Sequence, residues 1–195
     1  MFKHQIFGLL AGLVGLVAFI PYLTGIFKGT VKPNRFSWMI WSLASFILSS
    51  SYLASGATYT KWVSLGGVVG TTLIALLALK WGQGGAGKID KFCFFGALIS
   101  VVLWWMTQKP EVALAINVVL DIVGAIPTIV SVWDMSARED FTAWLLFAVA
   151  NTLNMFAVDR WTFAIAGYPI SLMLACWIVV ILLLRQKRIL SGISL

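Results

Sequence analysis

Residues Ala115–Trp144, AINVVLDIVGAIPTIVSVWDMSAREDFTAW, decide the fold class of this chain. They contain an apolar run with one carboxylate, Asp121, and a later proline, Pro127. A short charged loop follows, and Trp144 then begins the next apolar run. Because an ionisable residue inside a segment of hydrocarbon length is costly, it marks a functional site by default. The stretch therefore predicts a membrane protein with a polar site in its interior.

The composition of the whole chain supports the same class. Of its 195 residues, 61% are hydrophobic and only 11% are charged, whereas a soluble domain has about 25% charged residues. A single soluble core cannot bury so much apolar surface, so we expect a lipid bilayer as a partner. The net charge of +7 comes from short basic clusters between apolar runs. Such clusters predict membrane topology, and nucleic acid is not an expected partner.

Seven apolar runs follow one another with short connections, and most have the roughly 17–25 residues that a helix needs to cross a bilayer. Their continuity favours helices over barrel strands, in which polar and apolar residues would alternate. The first run is longer than the core of a signal peptide and contains Pro21, so we interpret it as a retained span. The runs are Ile6–Phe27, Phe36–Ala54, Trp62–Leu79, Phe92–Met106, Val112–Trp133, Phe141–Val158 and Trp161–Leu184.

The distribution of Lys and Arg predicts how seven spans would be oriented. One side of the membrane receives four of these residues and the other receives ten. Since cytoplasmic loops carry the excess of positive charge, we expect the N-terminus outside and the C-terminus in the cytoplasm, in the inner membrane if the cell is bacterial. Loops Lys28–Arg35 and Asp134–Asp140 then face the cytoplasm as topology elements, with Asn34 suited to cap a helix. Trp38 and Trp144, near span ends, are expected at the headgroup level.

An internal repeat becomes visible when the sequence is shifted by 106 residues. Without a gap, the shift aligns Pro21 with Pro127 and Trp38 with Trp144. A fourth span between two sets of three restores the direction of the chain, so the two sets would be parallel. We therefore predict an all-α polytopic membrane protein with seven transmembrane helices, arranged as two parallel three-helix repeats joined by a linker helix. The predicted units are the first repeat at 1–80, the linker and fourth helix at 81–110, and the second repeat with a cytoplasmic tail at 111–195.

This layout resembles the SWEET and PQ-loop families of small-solute transporters, and nicotinamide riboside transporters are a second relative of the same layout. The resemblance covers nearly the whole chain at the level of topology. Its residues are a proline late in the first helix of each set, in FIPYL at Pro21 and in AIPTI at Pro127. The glutamine that follows this proline in PQ-loop proteins is Tyr22 and Thr128 here, and the second helices lack the SWEET proline. The resemblance implies a solute carrier with its cavity between the two halves.

Polar residues of the second half form the candidate substrate site. Asn117 lies four residues before Asp121 and Thr128 lies seven after it, so helical spacing places all three on one face. Asn151 and Asn154 share a face of the following span, and we expect one of them to hydrogen-bond Asp121. These five residues are the predicted substrate-binding residues. The alternative is a purely structural polar clamp between helices.

The repeated prolines and the glycines of the first half predict how the helices pack and move. Pro21 and Pro127 each remove one helical hydrogen bond, which produces a kink and, because it recurs in both halves, a predicted hinge. Gly15 stands in the first half at the position of Asp121. With Gly8 and Gly12 it forms a face of small residues suited to close helix packing.

Two functions compete on this sequence. The first is a transporter or facilitator of a small polar solute, with Asp121 available for proton coupling. The second is a non-transporting subunit or assembly partner of a larger membrane complex, and a homo-oligomer fits either. An enzyme is not expected, because intramembrane catalysis needs paired acids, a Ser/His pair or a metal set. With His4 at the N-terminus and Cys93 and Cys176 in apolar runs, neither a metal nor a cofactor is predicted.

Overall fold

A computed structural model describes residues 2–54, 59, 61–84, 87–107 and 109–191, and these contain helices and no β-strand. Each helix overlaps one predicted apolar run, so the all-helical class is confirmed. The last residues of the predicted tail lie outside the described residues. The helices of the described chain are α1 (Phe2–Phe27), α2 (Arg35–Ala54), α3 (Lys61–Trp81), α4 (Lys88–Thr107), α5 (Pro110–Trp133), α6 (Phe141–Phe156) and α7 (Phe163–Leu190).

Among the described residues, five helices are long and apolar enough to cross a membrane: α1, α3, α4, α5 and α7. Helix α6 is apolar but has 16 residues, which gives about 24 Å of helix. Large apolar side chains stay exposed on these helices, including Leu13 at 60%, Val69 at 68% and Phe92 at 81%. Faces of this kind are stable against lipid and not against water. The chain is therefore a helical membrane protein.

Helices that are far apart in the sequence pack against each other, as do helices that are neighbours in it. Helix α1 packs against α3 and α6, α2 packs against α3 and α5, and α7 packs against α5 and α6. Helix α4 lies to one side, against α5 and α2. The largest core cluster lies where the other helices meet, and its members include Tyr22, Trp38, Val132, Trp144 and Val179. Sequence neighbours α5 and α6 are separated in space, since α7 packs between them.

The turns after α1 and α5 have the same hydrogen-bond pattern, 106 residues apart. The matching N–H···O bonds run from Thr30 and Val31 to Gly25 after α1, and from Ser136 and Ala137 to Ser131 after α5. Each turn has one residue with positive φ, Gly29 at 70° and Met135 at 59°. The loops that follow lie side by side, because the N–H of Lys32 donates to the carbonyl of Arg138 at 2.7 Å.

The helices after these loops begin with side-chain caps at matching positions. Asn34 Oδ1 accepts from the N–H of Ser37 at 3.1 Å at the start of α2. Asp140 Oδ1 accepts from the N–H of Ala143 at 2.7 Å at the start of α6. A cap of this type stabilises a helix by about 1 kcal/mol. The predicted capping role of Asn34 is confirmed.

The glycines of α1 have two different surroundings. A Cβ on Gly8 would collide with the backbone of Tyr59, and one on Gly12 would lie 2.9 Å from the Cβ of Trp62. A Cβ on Gly15 would meet nothing closer than 3.7 Å, an ordinary van der Waals distance. Close packing therefore explains Gly8 and Gly12. Gly15 has room beside it, and the packing prediction is wrong for that residue.

Alanine at two glycines is expected to change stability in opposite directions. A Cβ on Gly70 of α3 would collide with the ring of Phe19, and overpacking of this kind costs about 1–3 kcal/mol. Alanine at Gly15 would cause no steric clash, and its higher helix propensity would stabilise α1 by up to about 1 kcal/mol. Thermal unfolding in detergent, read by a thiol dye that reaches the buried Cys93 and Cys176 on unfolding, should rank Gly15→Ala at or above the parent and Gly70→Ala below it. Equal stability of the two variants would contradict the close packing of α1 on α3.

Candidate functional site

A central cavity of about 820 Å³, counting the space at its mouth, lies between α1, α2 and α3 on one side and α5, α6 and α7 on the other. Cavities between the helices of a bundle are common ligand sites. The aromatic part of its lining is Phe19, Trp38, Trp41, Trp144, Phe147 and Tyr168. The polar part includes Ser45, Thr71, Asp121 and Asn151.

Asp121 lies on the wall of this cavity and is 3% exposed. The hydroxyl of Ser171, on α7, donates to Asp121 Oδ2 at 3.4 Å. The expected hydrogen bond to Asn151 or Asn154 is therefore replaced by one to Ser171. The reason is the packing: α7 lies against α5, whereas α6 packs against α1 and α7. Asp121 is the one charged residue in the described lining, so its carboxylate has no counter-ion there.

Asn151 lines the same cavity from α6. Its Nδ2 donates to the carbonyl of Phe147 at 2.8 Å and contacts Cys176 Sγ at 3.8 Å. Its Oδ1 is buried and has no hydrogen-bond partner within the described part of the chain. A buried acceptor in this condition is satisfied when a solute or a water donates to it. The structure thus brings Asp121 and Asn151, two of the five predicted residues, to one cavity.

Asn117 and Thr128 bond to α2 and do not line the cavity. In the orientation that satisfies both ends of its amide, Asn117 donates to the carbonyl of Ala44 at 2.7 Å and accepts from the N–H of Leu48 at 3.1 Å. Thr128 Oγ1 donates to Ser37 Oγ at 2.8 Å. Both residues therefore act as the polar clamp between helices, and their predicted contact with substrate has no support in this geometry.

Asn154 is fully buried on α6, and it does not line the cavity. Neither its Nδ2 nor its Oδ1 has a partner among the residues that the structure describes. Leaving such a group unpaired costs about 1–3 kcal/mol, which a buried water with several polar partners would offset. Asn154 therefore lies outside the cavity, about one turn from Asn151 on the same helix.

Three tryptophans form an aromatic cluster at one end of the cavity. Ring centroids are 5.3 Å apart for Trp38 and Trp41, 5.8 Å for Trp41 and Trp144, and 6.5 Å for Trp38 and Trp144. Trp38 and Trp144 are each 2% exposed, so their rings pack inside the protein, and their depth in the membrane stays a prediction. Their indole N–H groups find hydrogen-bond partners inside the protein.

A hydrogen-bond network joins these tryptophans to the charged loop before α6. Trp38 Nε1 donates to the Tyr22 hydroxyl at 2.9 Å, and that hydroxyl donates to Glu139 Oε2 at 2.6 Å. Trp144 Nε1 donates to the same carboxyl oxygen at 2.9 Å. Glu139 Oε1 is shielded from solvent and has no partner among the described residues. We name Tyr22, Trp38, Glu139 and Trp144 the loop-end network; the sequence had indicated only capping and topology for this loop.

The surroundings of Glu139 make it titrate near neutral pH. Burial raises the pKa of its carboxyl from 4.5 to about 7, because the charged form loses its hydration. The hydrogen bonds from Tyr22 and Trp144 oppose this rise, and the charge of Asp140 adds to it. Glu139 thus combines a connection to the cavity lining with a proton that exchanges in the physiological range.

No family model, curated protein or solved structure matches the chain. Within the described residues, no three His, Cys, Asp or Glu side chains lie together in a way that could hold a metal ion. Function is therefore inferred from the cavity and from the bonds around it.

The two repeated prolines lie close to bonds that connect different parts of the chain. Pro21 is inside α1 and Pro127 is inside α5, each six residues before the end of its helix. The next residue in each case makes a long-range bond, Tyr22 to Glu139 and Thr128 to Ser37. Since a proline removes one helical hydrogen bond, bending is easiest at these points. A hinge at either proline stays a prediction.

Proposed function

We propose that the chain is a SWEET- and PQ-loop-like transporter or facilitator, and not an enzyme, which carries a small polar solute through its central cavity. The observation that carries this proposal is the buried carboxylate of Asp121 on the cavity wall, without a counter-ion in the described lining. An isolated acid at this depth is costly. Asn117 and Thr128 bond α5 to α2 through an amide and a hydroxyl, so helix packing of this kind does not require an acid.

Two parallel three-helix repeats, α1–α3 and α5–α7 with α4 as the linker, are part of the proposal. Under the shift of 106 residues, the end of α1 at Phe27 corresponds to the end of α5 at Trp133. Likewise the start of α2 at Arg35 corresponds to the start of α6 at Phe141. The packing of α1 on α6 and α3 is matched by that of α5 on α2 and α7. These correspondences support a pseudo-two-fold axis between the halves, with the cavity beside it.

The loop end of the molecule is the proposed cytoplasmic gate. Trp38 and Trp144 line the cavity and also bond to Tyr22 and Glu139, so the loop-end network lies between the cavity and the loops. Passage of a solute on this side requires the network to open. Alternating access of this kind is described as the movement of one repeat against the other around a fixed site, and Pro21 is placed to serve it from α1.

Replacement of the Asp121 carboxyl by an amide is expected to lower solute flux at least about tenfold, which corresponds to about 1.4 kcal/mol. The parent, Asp121→Asn and Asp159→Asn would be reconstituted in proteoliposomes and compared for exchange of radiolabelled sugars, amino acids, nucleosides and amines. Asp159 is an exposed acid between α6 and α7, so its amide variant is the matched control and should keep parental flux. Absence of flux for every solute, with other membrane proteins co-purifying stably, would overturn transport in favour of a subunit of a larger complex.

A further inference from the structure

The lining of the central cavity contains one acid and several aromatic rings, and no basic residue among those that the structure describes. Asp121 provides a carboxylate, and no Lys, Arg or His is among the lining residues that the structure describes. In a site of low dielectric constant, an unbalanced charge acts strongly on a solute that enters. An anionic solute would be repelled from such a lining, and a cationic one would be attracted.

The tryptophans of the lining have already used their hydrogen-bond donors. Trp38 donates to the Tyr22 hydroxyl and Trp144 to the carboxyl of Glu139, both outside the lining. Trp41 Nε1 donates to the backbone carbonyl of Asp121 at 3.3 Å. With their N–H groups engaged inside the protein, the three rings have only their carbon framework and π electrons to offer a solute. The faces of such rings attract cations.

The other hydroxyl and amide side chains of the described lining belong to Ser45, Thr71, Asn151 and Tyr168, and they are too few for a solute with many hydroxyl groups. Ser45 and Thr71 already bond to each other at 3.3 Å, and Thr71 also donates to the carbonyl of Gly67. Asn151 retains one unpaired acceptor. A sugar in this cavity would leave most of its hydroxyl groups without partners, and each unpaired buried group lowers affinity. The chemistry of the lining thus favours a solute with an apolar surface.

Resting on the transport function proposed above, we infer that the cavity binds a small organic cation whose charge is spread over apolar groups, as in a quaternary ammonium compound. Trp41 and Asp121 form the centre of the site. A Cβ at Gly124 would lie 2.9 Å from Trp41 Nε1, so the glycine lets the indole ring lie directly against α5, where its N–H reaches the backbone carbonyl of Asp121, and both residues line the cavity. An aromatic ring and a carboxylate at one place supply a π surface and a counter-ion together.

A pair of probes of nearly the same shape separates charge from size. Choline carries a trimethylammonium group, and 3,3-dimethylbutan-1-ol has a neutral carbon in place of the nitrogen. Binding of each to the protein in lipid nanodiscs would be measured by titration calorimetry. Choline is expected to bind at least about tenfold more tightly than the neutral alcohol. Equal affinities, tighter binding of the alcohol, or no detectable binding of choline would overturn the inference.

Three variants test which residues produce the preference. Asp121→Asn is expected to remove most of the difference between the two probes, and Asp159→Asn is expected to leave it unchanged. Trp41→Leu should weaken choline binding more than binding of the alcohol. A preference for choline that survives both Asp121→Asn and Trp41→Leu would contradict the proposed site.

The same probes separate this inference from the transport proposal. Selective binding of choline without exchange across proteoliposome membranes supports the cation site and overturns transport. Exchange of neutral sugars or nucleosides without any preference for choline supports transport and overturns the cation site. The two ideas therefore fail on different readouts, binding selectivity in nanodiscs for one and flux for the other.

Discussion

Glu139→Gln is expected to abolish a pH dependence of stability that the parent protein shows just below neutral pH. Burial raises the pKa of Glu139 from 4.5 to about 7 in the folded protein, while in the unfolded chain it stays near its ordinary value. Between these two pH values the folded state holds a proton that the unfolded state has lost, so stability falls as the pH rises. Below this window both states are protonated, and above it both are ionised. With about 1.36 kcal/mol per pKa unit, the full loss is a little over about 3 kcal/mol, of which roughly 2–3 kcal/mol falls between about pH 5 and pH 8.

The glutamine variant isolates this effect because it keeps the hydrogen bonds. A side-chain amide oxygen can accept from the Tyr22 hydroxyl and from Trp144 Nε1, as the Glu139 carboxyl does, but it does not titrate. Asp140 is unchanged in both proteins, and its charge is one of the causes that raise the pKa of Glu139 in the parent. Glu139→Ala has a different expected result: it leaves two buried donors without an acceptor and lowers stability at every pH.

Unfolding temperatures from about pH 5 to about pH 8, followed by tryptophan fluorescence, provide the measurement. The parent should lose roughly 5–10 °C relative to Glu139→Gln over this range, as 2–3 kcal/mol implies for a chain of this size. Tyr22→Phe should raise the pKa of Glu139 further, since it removes a bond to the charged form. If the unfolding temperatures of the parent and Glu139→Gln depended on pH in the same way, the Glu139 carboxyl would be hydrated in the folded protein. The proposal that the loop-end network forms a buried gate would then be contradicted.

The helices could be predicted from the sequence because lipid leaves the backbone few choices. A segment in hydrocarbon must satisfy its own N–H and C=O groups, so long apolar runs become helices. The run Val112–Trp133 corresponds to helix α5, Pro110–Trp133, and the run Phe141–Val158 to α6, Phe141–Phe156. The short polar connections between runs fixed the helix ends, as the cap by Asn34 shows. The apolar runs did not indicate which helices pack against each other.

The packing order of the helices decides which polar residues share the cavity. Asp121 could be singled out from the sequence because an acid in an apolar run is rare. Asn117 and Thr128 lie on the same broad face of α5 as Asp121. That face also contacts α2, and both residues form their hydrogen bonds with α2. Helical spacing gives a direction around one helix and does not identify the neighbour. For the same reason Ser171, on α7, could not be recognised as the partner of Asp121.

Glu139 was missed for a different physical reason. It stands in a loop with several charged residues, where the ordinary state of a carboxylate is hydrated. Its burial depends on contact with Tyr22, which is 117 residues away in the chain, and on loops held together by the Lys32–Arg138 bond. Under the repeat it aligns with Pro33, so the internal comparison carries no signal either. A tyrosine at the PQ glutamine position, Tyr22, was the one local feature that could have raised attention.

A disulfide between the two loops is expected to stop solute flux in the variant Lys32→Cys/Arg138→Cys. These residues form an antiparallel bridge in which the N–H of Lys32 donates to the Arg138 carbonyl at 2.7 Å. Antiparallel partners of this type have Cα atoms about 5.5 Å apart, within the roughly 4.4–6.8 Å that a disulfide spans. Both side chains are exposed, so the substitutions should leave the fold intact. If the loops must part for a solute to pass, a covalent bond between them holds the gate closed.

The measurement compares exchange flux in proteoliposomes before and after oxidation. Flux in the double-cysteine protein should fall to background on oxidation and return on reduction, whereas each single-cysteine variant should be insensitive to both treatments. The single variants also control for the buried Cys93 and Cys176. Full flux through a fully cross-linked protein would mean that the loops stay together during transport. The solute would then have to leave by another path. The predicted hinges at Pro21 and Pro127 would also be contradicted, because the loop separation that they were proposed to permit would not occur.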